Sequence, residues 1–398
     1  MKKSHDPIVI VDGARTPMGS FQGVLAGASA TELGSTAIRA ALDRSGIKPE
    51  DVDDVLMGCV LPAGLGQAPA RQSALGAGIP DSTSCTTVNK MCGSGLKAVM
   101  MVHDTLLAGS ASVSVAGGIE SMTNAPYILP KARGGMRMGH GEVKDHMFLD
   151  GLEDAYSEGK LMGHFAEETA RKYQFTREAQ DDFAITSLER ACHAIDNDIC
   201  SSEIAPVTIK GRKGDTVVNE DEQPKKANPD KIRSLRPVFA KDGTVTAANA
   251  SSISDGAAAL VLMRQSEAEA RGLEARARIL GHSSWAHEPE WFTTAPVYAV
   301  DRLLQRLGMK NTDFDLFEIN EAFAVVTMAA MQECGLPHDL TNIYGGACAV
   351  GHPVGSSGAR ILITLLNALE RTESKRGIAS LCIGGGEAVA LAVERITE

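Results

Sequence analysis

Aromatic side chains are scarce in this chain, with 2 Trp, 5 Tyr and 10 Phe among 398 residues, while Gly reaches 40. A core so short of rings has to be closed by small and aliphatic side chains. Positive charge is also in deficit: 39 Lys and Arg against 50 Asp and Glu give a formal net charge of −11. Such a chain gains little from counterion release, and no long basic run offsets the balance, so nucleic acid and anionic membrane are not expected partners. The eight cysteines, Cys59, Cys85, Cys92, Cys192, Cys200, Cys334, Cys348 and Cys382, contain no C-x-x-C pair, which argues against a zinc knuckle or a dithiol redox motif. No run of eighteen apolar residues occurs. The first residues, MKKSHDPIVIVDGARTP, lack an apolar h-region, and the final RITE is not a Ser-Lys-Leu address. The expectation is a cytoplasmic protein whose cysteines stay reduced and serve mostly as small buried hydrophobes.

The length suggests two core-sized units with room for an insertion. Ile8 to Val11 reads as a buried strand ending in a turn at Asp12-Gly13. Thr31 to Ser45 has helical spacing and Gly46 is a plausible stop; Val55 to Val60 reads as a strand. Cys92 to Ala108 is helical by pattern and ends at Gly109, and Val113 to Ala116 is a strand running into Gly117-Gly118. From about Asn124 to Asn249, glycines, prolines and charges crowd in around two helical stretches, Phe165–Tyr173 and Arg177–Ile195, as in an inserted, partly irregular domain. A weak repeat is present. SVSVAGGIE at 112–120 resembles SLCIGGGEA at 380–388, and each follows a small-residue turn opening a long helix, CGSGLKAVM at 92–100 and VGSSGARIL at 354–362. Two related halves of layered α/β type explain the length.

Several residues could carry chemistry. Cys92 lies where a helix pattern begins, so the helix dipole would lower its pKa, and Gly93 and Gly95 would leave room for N–H groups to approach a carbonyl oxygen; the plain alternative is a buried structural cysteine. His352, placed on a turn by Pro353, could be aimed into a cleft or simply be a turn histidine. Cys382, before three glycines, could reach a pocket or merely end a buried strand. Asn320 sits at a strand-to-helix junction in FEINEAFA, where α/β enzymes place polar groups, and Glu321 could cap the helix that follows. The NASS stretch at 249–252 could face a ligand or form an N-cap.

NKMCGSG, NEAFA, GGACAVGHPVGSSG and CIGGG, in that order, resemble the thiolase family, as do VDGARTP, GQAPARQ at 66–72 and VTAANASSISDGAAAL at 245–260. The resemblance covers essentially the whole chain. It implies an α/β, layered αβαβα fold of two similar halves with an inserted loop domain: 1–123 plus 247–272, then 124–246 inserted, then 273–398. It implies reversible Claisen condensation of two acetyl-CoA to acetoacetyl-CoA plus CoA, with no metal or redox cofactor and a dimeric or tetrameric assembly. By the same resemblance Cys92 is the acyl-carrying nucleophile, His352 takes its proton and Cys382 is the second acid/base. Asn320 holds a water that forms one oxyanion hole with His352, and the N–H groups of Cys92 and Gly384 form the other. Ser251, Ala247 and Phe239 match positions along the pantetheine arm, and Leu161, Met162, Phe292, Ala322 and Phe323 positions around the acyl group. Lys225 and Lys226 are candidates for the CoA phosphates, or a solvated loop.

Three positions depart from the pattern. Leu161-Met162-Gly163 stands where short-chain members commonly read His-Met-Gly, Phe292 replaces a methionine, and Glu387 has no evident role. The rivals are a broader or longer-chain 3-ketoacyl-CoA thiolase, a decarboxylating ketoacyl synthase, against which the second cysteine argues, and a non-catalytic acyl-CoA or lipid carrier on the same fold.

Overall fold

The structure, a computed structural model, describes residues 6–397; the extreme ends, on which the expectations about a leader and a terminal address partly bear, lie outside the described residues. Nine strands run across one sheet in the order Leu316–Ile319, Arg376–Ile383, Glu387–Arg395, Ala277–Ala286, Ile8–Arg15, Ser254–Arg264, Val113–Ser121, Asp54–Gly58 and Ser84–Val88, and a short tenth, Gly19–Ser20, pairs with Ser254–Arg264. The two half-sheets meet at a narrow seam, where Ile8–Arg15 pairs with Ala277–Ala286 only at Val9↔Arg278 and Ile10↔Ala277.

Side-chain alternation along these strands builds the layers. Ile8, Ile10, Leu260 and Leu262 join Val389, Leu391 and Val393 of the other half around the central helices Ser94–Ala108 and Ser357–Arg371. The opposite faces divide. Val9, Val11, Val261 and Met263 pack against the outer helix Ala30–Ser45, whereas Ala388, Ala390 and Ala392 lie under Ala295–Leu307. The result is helix, sheet, helix, sheet, helix. Small residues set the closeness of the middle layer: a side chain at Gly95 would meet the Ala359 backbone at 2.8 Å, and one at Gly358 the Leu96 backbone at 2.4 Å. Gly95 therefore serves helix packing, not the approach of a ligand.

Helix Ala30–Ser45 begins with a capping box between Ser29 and Glu32 and ends at left-handed Gly46, as its pattern predicts. Two expectations fail for one reason. The chain does not turn at Asp12-Gly13; the strand passes through a bulge and continues to Arg15, with Asp12 paired to Arg276. Nor does it stop at Gly117-Gly118, since the strand runs on to Ser121. A Cβ on Gly118 would lie 2.0 Å from the Gly355 carbonyl oxygen, so glycine there admits a neighbouring loop.

Both halves repeat one unit. Helix Ser94–Ala108 leads to Val113–Ser121, which pairs antiparallel with Ser254–Arg264; helix Ser357–Arg371 leads to Arg376–Ile383, which pairs antiparallel with Glu387–Arg395. The first return connection occupies residues 122–253, holding the helices Met162–Tyr173 and Arg177–Asp196 and two short hairpins. The second is Gly384–Gly386. No helix among the described residues is long and apolar enough to cross a membrane.

Candidate active site

Cys92 stands in the tight turn between strand Ser84–Val88 and helix Ser94–Ala108, two residues before the helix that its pattern had begun there. Met91 takes a left-handed φ of 46°, and Gly93 N–H donates to the Lys90 carbonyl at 3.0 Å. Ser94 locks the turn by donating to the Met91 carbonyl at 2.6 Å and accepting from Lys90 N–H at 2.8 Å. Burial pushes the Cys92 thiol up to about 11, against the N–H groups of Gly384 and of Cys92 itself, which pull it down. Desolvation thus overrides the lowering expected from the helix terminus, and the sulfur needs a base to ionise. Its two N–H neighbours come from opposite halves of the molecule.

That base is in place at His352, buried at 7% exposure on the loop before helix Ser357–Arg371. With the Ser357 hydroxyl proton assigned to the Pro353 carbonyl at 2.9 Å, His352 Nδ1 is the donor in its 2.5 Å contact with the same Oγ. Nε2 is then a lone pair, and it has no hydrogen-bond partner among the described residues. Burial, followed by the charge of Arg360, pushes the imidazole down to about 3. It is a neutral acceptor at physiological pH.

Cys382 ends strand Arg376–Ile383 fully buried, behind the wall formed with Phe292, Ala322 and Phe323. Burial and then the nearby Cys92 hold its thiol well above the ordinary range. Asn320 follows strand Leu316–Ile319; its N–H donates to the Ser380 carbonyl at 3.0 Å and its Oδ1 accepts from Arg360 at 3.4 Å. Its Nδ2 is a second buried polar atom without a partner among the described residues. Two orphan groups beside one reactive thiol are a reason to expect an occupant.

A cavity of about 380 Å³ opens on Cys92, His352 and Gly384. Leu161, Met162, Phe239, Ala247, Ser251, Phe292, Ala322 and Phe323 all border it, while Cys382 and Asn320 do not reach its surface. The NASS loop and the NEAFA segment are stitched together, Ser251 N–H to the Ala322 carbonyl at 2.9 Å and Ala324 N–H to the Asn249 carbonyl at 2.8 Å. Glu321 does not cap the next helix, which starts at Ala324. It is buried and accepts from Ser187 Oγ at 2.7 Å, Asn342 Nδ2 at 2.9 Å and Cys348 N–H at 3.0 Å, tying the insertion to the second half. Lys225 is paired with Asp196 and Lys226 with Glu222, and neither borders the cavity. A neighbouring cleft that shares Phe239 carries Lys160, His164 and Arg171 together with Glu167, Glu168 and Glu290, and Arg171 is paired there with Glu168.

Three supporting groups escaped the sequence reading. Ser357 fixes the His352 tautomer; its only sequence signal is a hydroxyl among glycines. Buried Glu120 accepts from Gly355 N–H at 2.8 Å, Val60 N–H at 3.1 Å and Leu61 N–H at 3.1 Å, fastening the His352 loop to the first half. Burial outweighs these donors and raises its carboxyl to about 7. Glu387, without a role in sequence, pairs with Lys90, two residues before Cys92.

Residues 8–266 match the family "Thiolase, N-terminal domain" and residues 273–395 "Thiolase, C-terminal domain". Acetyl-CoA acetyltransferase of Schizosaccharomyces pombe is 48% identical over 391 residues, 98% of this chain and 99% of that one. Acetyl-CoA acetyltransferase 2 of Arabidopsis thaliana is 50% identical over 390 residues, covering 97% and 96%. The crystal structure of Acat5 thiolase from Ascaris suum in complex with coenzyme A superposes with a TM-score of 0.92 at 40% identity, covering 98% of this chain and 100% of that chain. Two matched domains, full-length relatives and the layered fold agree: the chain belongs to the thiolase family.

Proposed function

We propose that this chain is an acetyl-CoA acetyltransferase, joining two acetyl-CoA into acetoacetyl-CoA and CoA, or reversing that reaction, through an acetyl group carried on Cys92. One observation carries the reading. The Cys92 sulfur faces N–H groups of both halves, in a cavity where a neutral His352 presents an unpaired Nε2. The names of the relatives and the coenzyme A bound by the Ascaris protein support the substrate class.

His352 Nε2 takes the Cys92 proton, and the thiolate attacks the acetyl carbonyl. Cys382 gives its proton to the departing CoA sulfur. The Cys382 thiolate, made strongly basic by burial, then takes the α-proton of a second acetyl-CoA. The resulting carbanion attacks acetyl-Cys92, and the released thiolate recovers its proton from His352. Cys92 and Gly384 N–H stabilise the tetrahedral oxyanion, and a water on Asn320 with His352 Nε2–H stabilises the enolate. Ala247, Ser251 and Phe239 line the pantetheine path, and Lys160 and Arg171 supply cations in the neighbouring cleft. The same reading makes the chain a cytoplasmic homo-oligomer; support for assembly is the sheet edge left open by Ser84–Val88.

Chain length is set by opposing terms. A methylene buried against Leu161 gains at most ~0.8 kcal/mol. Phe292, 2% exposed and edge-on to Phe165 at 6.2 Å, fills the space an extended chain would need, and overpacking costs ~1–3 kcal/mol. For one or two carbons the second term is larger. A kcat/KM series of 3-oxoacyl-CoA substrates tests this. Acetoacetyl-CoA is expected to be best, 3-oxovaleryl-CoA within about tenfold (overpacking of ~1–3 kcal/mol less the ~0.8 kcal/mol gained by burial) and 3-oxopalmitoyl-CoA poor, with Phe292→Ala widening the range. A preference of the unaltered chain for medium or long acyl groups would replace this reading with that of a longer-chain thiolase.

A further inference from the structure

Three ligand-type side chains meet near the end of the central helix that points away from Cys92. His103 and Asp104 lie on helix Ser94–Ala108, and His282 lies on strand Ala277–Ala286 of the second half. At about 1.5 Å of rise per residue, His103 is roughly 15 Å from Cys92. None of the three borders the catalytic cavity.

His103 Nδ1 is 3.1 Å from Asp104 Oδ1, and His282 Nε2 is 2.9 Å from the same oxygen. The imidazoles meet edge to face with centroids 5.1 Å apart, and one ligand atom from each residue lies within 4.8 Å of the other two. A tetrahedral ion bonded to nitrogen and oxygen at roughly 2.0–2.1 Å holds its ligand atoms roughly 3.3 Å apart. Two of the three separations are already within a few tenths of that value. The histidine side chains are 12% and 16% exposed and Asp104 is 59% exposed, so two covered ligands sit on regular elements and the third faces water. Arg306 Nη1 donates to the His282 carbonyl at 3.1 Å.

We propose that His103, Asp104 and His282 form a binding site for a divalent transition-metal ion, with Zn²⁺ as the occupant and water completing its coordination. Two imidazoles and one carboxylate suit a borderline ion such as Zn²⁺ and not Mg²⁺ or Ca²⁺, which take oxygen. The ion would join a first-half helix to the second-half strand that forms the narrow seam of the sheet, so its role is to clamp the halves.

Co²⁺, a coloured substitute for Zn²⁺, is titrated into the full chain carrying Cys92→Ser, which removes the catalytic thiol as a competitor. The expected result is one equivalent with the visible bands of nitrogen- and oxygen-ligated Co²⁺, displaced by Zn²⁺. Asp104→Asn and His282→Gln should each weaken binding at least about tenfold, since even outer partners of metal ligands cost that much. Asp104→Asn alters an exposed side chain and keeps the test open if His282→Gln does not fold. Absence of bands, sulfur-to-cobalt charge transfer, or unchanged affinity in Asp104→Asn would overturn the assignment.

Discussion

The two return connections make the sharpest contrast in the molecule. After the first central helix and its strand, the chain travels through residues 122–254 before pairing back at Asp255. After the second, it turns within Gly384–Gly386 and pairs back at Glu387. The long connection provides roof and wall: Leu161, Met162, Phe239, Ala247 and Ser251 all belong to it. The short one provides a bare N–H at Gly384 beside the Cys92 sulfur. A side chain at Gly386, where φ is +89°, would strike the His287 carbonyl oxygen at 2.3 Å, so the sharp turn depends on glycine. One supersecondary unit, used twice, has become an enclosure in one copy and an electrostatic contact in the other.

The division between copies can be broken most severely at the sulfurs. Cys92→Ser should lose acetyl-CoA-dependent labelling and about three or more orders of magnitude of turnover, because the nucleophile acts as part of a unit. Cys382→Ser should still take up an acetyl group at Cys92, more slowly because the departing CoA thiolate must take its proton from water, seen as one acetyl mass on that peptide, yet fail to form the carbon–carbon bond. Label found on Cys382 would reverse the assignments. Ser357→Ala should lower kcat roughly ten- to hundredfold with little change in KM, since a general base contributes roughly 10²–10⁴ and a misoriented one forfeits part of it; an effect on KM alone would mean that Ser357 does not act through His352.

Glu120 sharpens the comparison through pH. Its folded pKa, about 7, lies above the ordinary 4.5, so the native chain holds this proton more tightly than the unfolded chain. Its contribution is full below pH 4.5 and is lost as pH rises to 7, a change of about 3 kcal/mol. Glu120→Gln, neutral throughout, should flatten that part of the urea-midpoint profile; the slope due to Glu318, raised to about 8 mainly by burial, should remain in both proteins. An identical slope in variant and parent would refute the link. The smallest effect is expected at the partly exposed Lys90–Glu387 pair, where Glu387→Gln should cost under ~1 kcal/mol and the difference should vanish in high salt.

What could be seen in the sequence was local chemistry. Helix Ala30–Ser45 was visible because its cap residues and apolar spacing agree, and the two insertion helices because their periodicity is strong. Gly117, Gly118 and Asp12-Gly13 misled because turn-forming residues were used for close approach and a bulge, a choice made by neighbours distant in sequence. Cys92 and His352 announced themselves through their surroundings. Glu120, Ser357 and the pairing of Lys90 with Glu387 did not, because a buried carboxylate or hydroxyl carries no periodic mark and its partners lie far along the chain. The direction of the Cys92 shift was misjudged for a related reason: a helix terminus can be read from sequence, whereas desolvation depends on what the other half places above it.

The seam between Ile8–Arg15 and Ala277–Ala286 has a consequence for biosynthesis. The strand Ala277–Ala286 must also pair with Glu387–Arg395, a segment made long after Cys92. A nascent chain therefore carries Cys92 with neither Gly384 nor His352 beside it until the second half has been made. Its thiol then lacks both its base and one of its N–H partners, so catalytic competence waits on the second half. Pairing of Glu387–Arg395 acts as a check: a chain cut before His352 has the nucleophile and nothing to activate it.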